Sequence, residues 1–232
     1  DCLCDDKKIS VNHPKSLSHI KVKDIILLND GLIKLEVIKK TKDDLTCKII
    51  NGGILKSKKS ISVPGRDLKI PFINDADKED ILFAINNDAD FIALSFVSTK
   101  EDVLKVRDIL KENDSNVLLI SKIESKMGVD NLKEIVSVSD GVMVARGDLG
   151  VEVPMEDLPF IQKRIISECR KKGKIAIVAT EMLESMTYNS RPTRAEISDV
   201  SNAVLNETDA VMLSAETSIG KYTVDTVNMM SN

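Results

Sequence analysis

Polar side chains stand directly after five apolar runs in this sequence. The residue types are those that bind small ions and carry protons: hydroxyls, carboxylates, one lysine and one arginine. The five groups are Ser95; Ser121, Lys122 and Glu124; Ala145, Arg146, Gly147 and Asp148; Thr180 and Glu181; and Ser214, Ala215 and Glu216. Reactive groups of βα barrels lie at the carboxyl ends of the strands. The pattern therefore predicts a ring of functional side chains around one mouth.

A divalent-metal site is the chemistry that these groups favour. Lys122 and Glu124 are two residues apart, so on a strand their side chains point the same way. With Asp148 from the next strand, Glu124 forms a pair of hard oxygen ligands that suits Mg²⁺ or Mn²⁺ and leaves positions for water and substrate oxygens. A local ion pair between Lys122 and Glu124 is the alternative interpretation.

The neighbouring residues extend this chemistry to an anionic substrate. A lysine beside a metal stabilises negative charge on an enolate or a transferred phosphoryl group. Gly147 lets the backbone approach a ligand closely, and the N–H groups after it can hold an anion. Thr180 adds a hydroxyl near the same centre. The residues alone predict a divalent-metal barrel enzyme with a small anionic substrate, and they leave aldolases, lyases and phosphotransferases open.

The elements that must position these groups follow from hydrophobic periodicity after Pro71. Five continuously apolar runs are typical of parallel strands covered on both faces: 91–94, 117–120, 141–144, 175–178 and 210–213. Helical spacing of apolar residues predicts helices over 77–87, 101–112, 128–138, 155–172 and 193–206, and from 223 onward. The βα repeat is about 30 residues long. Neither a G-x-G-x-x-G motif after the first strand nor a P-loop occurs, and the five polar endings favour a barrel over an open sheet.

The first 66 residues have a different texture. Short β-rich runs alternate with turns, and Asp30-Gly31 between two apolar runs is a strong hairpin signal. We therefore predict a partial antiparallel β domain over residues 1–66. Residues 67–232 are predicted to form a partial (β/α)8 barrel of about five βα units.

Composition excludes several functional classes. The 232 residues carry 33 basic and 37 acidic side chains, a net charge of −4 that disfavours nucleic acid as a partner. The apolar content of 42% is enough for a core, and no run approaches the roughly 18 residues of a membrane span. The cysteines are scattered, which favours reduced thiols over a disulfide scaffold. A soft-metal pair at Cys2 and Cys4 is the minor alternative.

Several long motifs identify a resemblance to the pyruvate kinase family. They run in order from about Cys4 to Met230, and they are specific enough to make a chance match negligible. The segments that carry it are 51–53, 57–59, 64–65, 120–124, 143–152, 179–186, 191–196 and 199–204.

The resemblance implies a role for each residue at the mouth. Lys122 would stabilise the phosphoryl group and the enolate during transfer from phosphoenolpyruvate to ADP, and Glu124 and Asp148 would hold Mg²⁺ or Mn²⁺. The backbone of 145–148 would receive the substrate carboxylate, and Thr180 would assist proton delivery to the enolpyruvate carbon. Ser95 and Phe96 would line the mouth, and Ser214 and Glu216 would belong to a surrounding proton network. Arg146 is more readily interpreted as a structural ion-pair partner than as a substrate ligand.

The resemblance also has implications beyond the mouth. Asp30 and Lys59 would belong to a lid, with Lys59 near the nucleotide phosphates; a solvated turn is the alternative for Lys59. Residues 191–194, which include Arg191 and Arg194, would lie at a subunit interface of a homotetramer. The family's K⁺ ligands lie in strands before the lid and are not in this chain. A cytoplasmic location is the default expectation, with a plastid as the alternative.

Two other functions remain open at this stage. A metal-dependent aldolase or lyase of the related phosphoenolpyruvate/pyruvate barrels would use the same carboxylates, although the lid segment and residues 143–152 argue against it. A non-catalytic remnant is the other alternative, since only about five βα units fit in the chain.

The 232-residue chain made alone is expected to be inactive and poorly soluble. Five parallel strands leave two open edges and uncovered apolar faces, which promote association. A coupled assay for pyruvate formation and a sedimentation test of the purified chain check this. Robust turnover by this chain alone would contradict the expectation.

Overall fold

The computed structural model describes residues 7–232. The pair Cys2 and Cys4 therefore lies outside the described residues. The chain divides into two compact units, one ending at Phe72 and the other spanning Ile73–Asn232.

The first unit is an antiparallel β-sheet preceded by a short 3₁₀-helix, Pro14–His19. Its strands are β1 Ile25–Leu28, β2 Ile33–Lys40, β3 Leu45–Asn51 and β4 Ile61–Ser62, in the order β3-β2-β1-β4. The predicted antiparallel module is thus confirmed. Its core residues come from alternate positions of the strands and from the preceding segment: Ile20, Ile26, Leu28, Ile33, Val37 and Val63.

The hairpin signal corresponds to the turn between β1 and β2. The Leu32 N–H donates to the Asn29 carbonyl over 3.2 Å, so Asp30 and Gly31 are the two central residues. Their φ angles are +58° and +83°, the sign that a type I′ turn requires at both positions. The turn pairs Leu28 with Ile33, which aligns the apolar residues of both strands on the core face.

An arginine–carboxylate pair joins the beginning and the end of this sheet. Arg66, after β4, donates from Nε and Nη2 to the two carboxylate oxygens of Asp24, before β1, over 2.8 and 2.6 Å. The hydrogen bonds from Arg66 hold the pKa of Asp24 below its usual range. This two-point contact links residues 42 positions apart in sequence.

The second unit alternates strands and helices. Its strands are β5 Phe91–Leu94, β6 Leu118–Ile123, β7 Gly141–Ala145, β8 Ile175–Ala179 and β9 Ala210–Met212. Its helices are α1 Asp75–Asn86, α2 Lys100–Glu112, α3 Lys126–Asp130, α4 Leu132–Val138, α5 Arg146–Glu152, α6 Leu158–Lys172, α7 Arg194–Leu205, α8 Ala215–Ser218 and α9 Thr223–Ser231, with 3₁₀ turns at Met155–Asp157 and Glu184–Thr187.

The five strands are all parallel and lie in their sequence order, β5-β6-β7-β8-β9. Each strand therefore pairs with the next one along the chain, and no strand order reversal of the doubly wound kind occurs. All five carboxyl ends meet at one edge of the sheet. The predicted set of five parallel strands is confirmed, and the sequential order is that of a barrel segment.

Both faces of this sheet carry apolar side chains. One face packs against α2 and α6, and α4 packs against both of these helices. Leu119, Val142 and Val178 are buried in the strands. A separate cluster of Ile120, Met143 and Ala179 has Ile177 and Met212 packed against it. The edge strand β5 leaves Phe91 49% exposed, as expected for a strand with one uncovered side.

Helix boundaries follow local capping signals. The Asn74 side chain and Asp77 form a capping box at the start of α1, and Thr193 and Glu196 form one at α7. Gly173 ends α6 with φ +62°, the left-handed conformation in which glycine commonly closes a helix.

Two helical predictions were wrong in detail. The helix expected over 128–138 is divided at Asn131 into α3 and α4. Residues after β7 were expected to be a polar strand ending, but they form helix α5, which begins directly at Arg146. The helix is stabilised by Leu149, whose side chain is buried in the core.

Aspartates secure the amino ends of the strands, opposite the polar edge. Asp140 accepts the Leu119 N–H and an Arg107 Nη2–H through the same oxygen, both over 2.8 Å. Asp209 accepts the Ala176 N–H over 2.7 Å. Each contact ties the start of one strand to its neighbour.

None of the helices within residues 7–232 is both long and apolar enough to cross a membrane.

Gly141→Ala is expected to destabilise the second unit. An added methyl group would lie 2.6 Å from Ile120 Cδ1 and 2.9 Å from Ile175 Cβ, where the strands leave no space. Such overpacking costs about 1–3 kcal/mol in the free energy of unfolding. The matched control is Gly150→Ala in α5, where only the flexible side chains of Met155 and Leu158 approach. Thermal unfolding of both variants checks this, and equal losses would contradict it.

Candidate active site

The polar endings of the strands gather at one edge of the parallel sheet. Ser95 follows β5, Lys122 lies in β6 with Glu124 just after it, and Asp148 lies in the first turn of α5. Thr180 follows β8, and Ser214 and Glu216 follow β9. This placement results from the parallel register, which puts the ends of β5, β6 and β7 side by side.

Lys122 is held between two of these side chains. Its Nζ donates to Ser95 Oγ over 2.9 Å and lies 2.8 Å from Glu124 Oε1. The lysine side chain is 24% exposed, whereas Glu124 is 1% exposed. The ion pair predicted as the alternative interpretation is thus present, and it leaves the ammonium group within reach of a ligand.

The second oxygen of Glu124 is held by the backbone. Glu124 Oε2 accepts the Phe96 N–H over 2.5 Å, and Phe96 has φ +54°. Burial raises the pKa of Glu124, and the hydrogen bonds from Lys122 and from the Phe96 N–H oppose that rise. The negative charge of Asp148 raises the pKa further, so the two carboxylates share one electrostatic environment.

Asp148 differs from Glu124 in having no partner among residues 7–232. Its half-buried side chain makes no hydrogen bond or ion pair within residues 7–232. Within the same range, no group of three or more histidine, cysteine, aspartate or glutamate side chains could hold a metal ion. The protein therefore offers two carboxylates, and a divalent ion held here needs its other ligands from water or from a bound molecule.

Thr180 connects the ends of β7 and β8. Its hydroxyl donates to the Ala179 carbonyl over 2.6 Å and accepts the Gly147 N–H over 2.8 Å. Thr180 and Glu181 have φ angles of +69° and +52°. Left-handed backbone is unfavourable for a β-branched residue, and such strain concentrates at functional sites.

Arg146 is the most extensively bonded side chain of the site. Nη1 lies 2.5 Å from Asp199 Oδ2, and Nη2 donates to the Thr180 carbonyl over 2.6 Å. Nε lies 3.2–3.3 Å from the carbonyls of Thr180 and Ala179, and Met182 Sδ completes the set. The residue is 8% exposed. This arrangement supports the interpretation of Arg146 as a structural ion-pair partner.

The carboxylate of Glu216 is fully buried. It accepts the Leu183 N–H over 3.1 Å and the Ser214 N–H over 2.7 Å. The pKa of nearby Glu184 is raised, chiefly by burial and further by the negative charges of Glu216, Glu181 and Glu196. An acidic region therefore adjoins the end of β8.

The predicted lid residues contact each other within the first unit. Lys59 Nζ lies 3.6 Å from Asp30 Oδ2, and Ser60 Oγ donates to Asp30 Oδ1 over 3.2 Å. The Lys59 side chain is 37% exposed, which leaves its ammonium group accessible.

Sequence reasoning missed Asp199, Met182 and Leu183 as contributors to the site. Asp199 lies 53 positions from Arg146, and its contact with that residue has no local sequence signal. Segments 179–186 and 199–204, which contain these residues, carry part of the family resemblance, but neither segment indicates which side chains they contact.

Comparisons with known proteins agree on one family. The family model described as "Pyruvate kinase, barrel domain" matches residues 2–227. A pyruvate kinase of Staphylococcus haemolyticus is 50% identical over 229 residues, covering 97% of this chain and 39% of the relative. One from Geobacillus stearothermophilus is 49% identical, with the same coverage, and one from Clostridium perfringens is 46% identical over all 232 residues, or 49% of its own length. The chain thus spans two-fifths to about half of the curated relatives it matches.

Glu184→Gln is expected to raise the thermal stability at pH 8. The pKa of Glu184 is raised in the folded state, so at a pH above that pKa the ionised carboxylate destabilises the folded state relative to the unfolded state. At a pH below the unfolded-state pKa of about 4.3, the carboxyl group is protonated in both states and has no such effect. The gain should therefore disappear near pH 4. Thermal unfolding at both pH values checks this, with the exposed Glu156→Gln as the control. An equal gain at both pH values would contradict the assignment.

Proposed function

The chain belongs to the pyruvate kinase family, and we propose that it contributes the metal-binding and phosphoryl-transfer residues of that enzyme. The reaction is transfer of the phosphoryl group of phosphoenolpyruvate to ADP, giving pyruvate and ATP, the last step of glycolysis. The observation that carries the proposal is the Lys122 ammonium group, held 2.8 Å from buried Glu124. The carboxylate of Asp148, which has no partner within residues 7–232, acts electrostatically on the same Glu124.

Glu124 and Asp148 are the residues that would hold Mg²⁺ or Mn²⁺. The donor set fits a hard divalent ion, because both side chains are carboxylates and Asp148 has no partner within residues 7–232. The bound ion would supply charge neutralisation on phosphoryl and enolate oxygens. Phe96 orients Glu124 through its N–H, so the carboxylate needs little reorganisation to bind the ion.

Lys122 would stabilise the negative charge that develops during transfer. Ser95 Oγ and Glu124 Oε1 hold its Nζ in a fixed position, and the 24% exposure of the side chain leaves a face for the phosphoryl oxygens. Phosphoryl transfer depends mainly on positioning and charge stabilisation, so a held ammonium group suits it. Ser95 and exposed Phe96 would line the same opening.

The segment from Ala145 to Asp148 would receive the substrate carboxylate. Thr180 now holds the Gly147 N–H, and an incoming carboxylate would take over that hydrogen bond and leave the Thr180 hydroxyl beside the substrate. From there the hydroxyl would assist proton delivery to the enolpyruvate carbon. Ser214 and buried Glu216 would complete the proton network behind it.

The first unit and the assembly belong to the same proposal. Residues 1–66 would be part of the lid and residues 67–232 part of the barrel, with Lys59 close to the nucleotide phosphates and Asp30 holding it through their ion pair. We also propose a cytoplasmic homotetramer with residues 191–194 at a subunit interface. Arg191 and Arg194 are exposed and so available for such a contact.

Lys122→Met in the complete gene product is expected to lower kcat about 10²–10³-fold, because a preorganised charge is lost. Lys126→Met is the control: Lys126 is an exposed lysine of α3 that pairs with Asp130, and we expect its kcat to stay within about twofold of the wild type. A coupled assay with phosphoenolpyruvate, ADP and Mg²⁺ measures both. Aldol cleavage without ATP formation would overturn the proposal in favour of an aldolase or lyase.

Mn²⁺ binding tests the metal site separately from turnover. Glu124→Gln and Asp148→Asn should each weaken Mn²⁺ binding at least about tenfold, because loss of a direct ligand costs no less than loss of a partner that only orients a ligand. Asp130→Asn, which changes a surface carboxylate, should not weaken it. Electron paramagnetic resonance of free Mn²⁺ measures the affinity. Absence of any metal-dependent phosphoenolpyruvate binding by calorimetry would instead identify a non-catalytic protein.

A further inference from the structure

We propose that Asp199 is a positioning residue for Thr180, and that it acts through Arg146. The proposal rests on the proposed function, because Thr180 is assigned there to the reacting centre. Three elements meet in the arrangement: Arg146 begins α5, Thr180 follows β8, and Asp199 lies in α7.

All three guanidinium nitrogens of Arg146 are bound to protein. Nη1 contacts Asp199 Oδ2 over 2.5 Å, and both Nε and Nη2 donate to the Thr180 carbonyl, over 3.2 and 2.6 Å. Nε also lies 3.3 Å from the Ala179 carbonyl. The guanidinium group therefore clamps the turn after β8.

The turn that Arg146 clamps is strained. Thr180 and Glu181 both have left-handed backbone, and neither is glycine. Such a conformation persists only where the surroundings hold it. The two N–H donors on the Thr180 carbonyl supply that restraint, and they remain in place when a bound carboxylate takes the Gly147 N–H from the Thr180 hydroxyl.

Asp199 supplies the charge that keeps Arg146 in place. Arg146 is 8% exposed, and a buried guanidinium group needs a counter-ion. Among residues 7–232, the carboxylate that pairs with Arg146 is that of Asp199, whose side chain is 36% exposed. Removal of that charge frees Nη1, so the guanidinium group can reorient toward water and release the Thr180 carbonyl.

The test is a double-mutant cycle in the complete gene product. Asp199→Asn keeps the side-chain size and removes the charge, and we expect kcat to fall about tenfold, as for loss of an orienting partner. Thr180→Val removes the hydroxyl that Asp199 is proposed to position. In the Thr180→Val background, Asp199→Asn should change kcat by less than about twofold, because the two act as one unit.

A matched ion pair at the opposite edge separates positioning from stability. Asp140 pairs with Arg107 over 2.8 Å, with 25% and 24% of the two side chains exposed. Asp140→Asn should lower the thermal midpoint at least as much as Asp199→Asn does, while kcat stays within about twofold of the wild type.

Hydrogen exchange gives a readout that does not depend on the enzyme activity. Asp199→Asn should accelerate amide exchange in residues 180–183, where Leu183 N–H is normally bonded to Glu216, and Asp140→Asn should not. Any one of three results would contradict the positioning role of Asp199. They are an unchanged kcat in Asp199→Asn, a full tenfold fall in kcat when Asp199→Asn is added to Thr180→Val, and unchanged amide exchange in Asp199→Asn. If the wild-type protein showed no phosphoryl transfer, but Asp199→Asn still accelerated exchange and Asp140→Asn did not, the proposed function would be wrong. The restraint of Thr180 by Arg146 and Asp199 would nevertheless be supported.

Discussion

Burial of the Glu124 carboxylate is the constraint from which the site geometry follows. A charged group with 1% exposure needs partners for both oxygens. Lys122 serves one oxygen and the Phe96 N–H serves the other. Lys122 is thereby directed to the end of β6, and the backbone of Phe96 takes a left-handed conformation that aims its N–H at the carboxylate. The proposed metal ligand, the proposed charge stabiliser and the turn at Phe96 thus depend on one buried group.

Charged side chains occur at both edges of the parallel sheet, but their bonding differs between the two edges. At the amino edge, Asp140 and Asp209 accept backbone N–H groups, and Arg107 neutralises Asp140. These contacts are saturated and serve to join the strands. At the carboxyl edge, Asp148 has no partner within the described range and Lys122 keeps an accessible face. Unsatisfied charge at the carboxyl edge is the feature on which the proposed binding of a metal and an anion rests.

Much of the fold was predictable from local patterns. The strands of the second unit lie within a few residues of the apolar runs, because a parallel strand buried on both faces must be apolar throughout. The Asp30-Gly31 turn was predictable because few residues tolerate two successive positive φ angles. Helix α5 was missed because its seven residues, Arg146–Glu152, include two glycines and two acidic residues. Its stability comes from packing of Leu149 rather than from helix propensity.

The sequence by itself determined the alternation of elements and the polar strand ends, and it led to the prediction that Lys122, Glu124 and Asp148 are the chemical groups. These depend on residue type and on spacing within one element. Tertiary structure alone decided that Arg146 is engaged by Asp199 and by the Thr180 carbonyl, and that Glu216 binds the Leu183 N–H. These contacts join residues 33 to 53 positions apart. The periodicity of a single helix or strand does not encode such contacts, because they form only when parallel strands bring successive βα units into register.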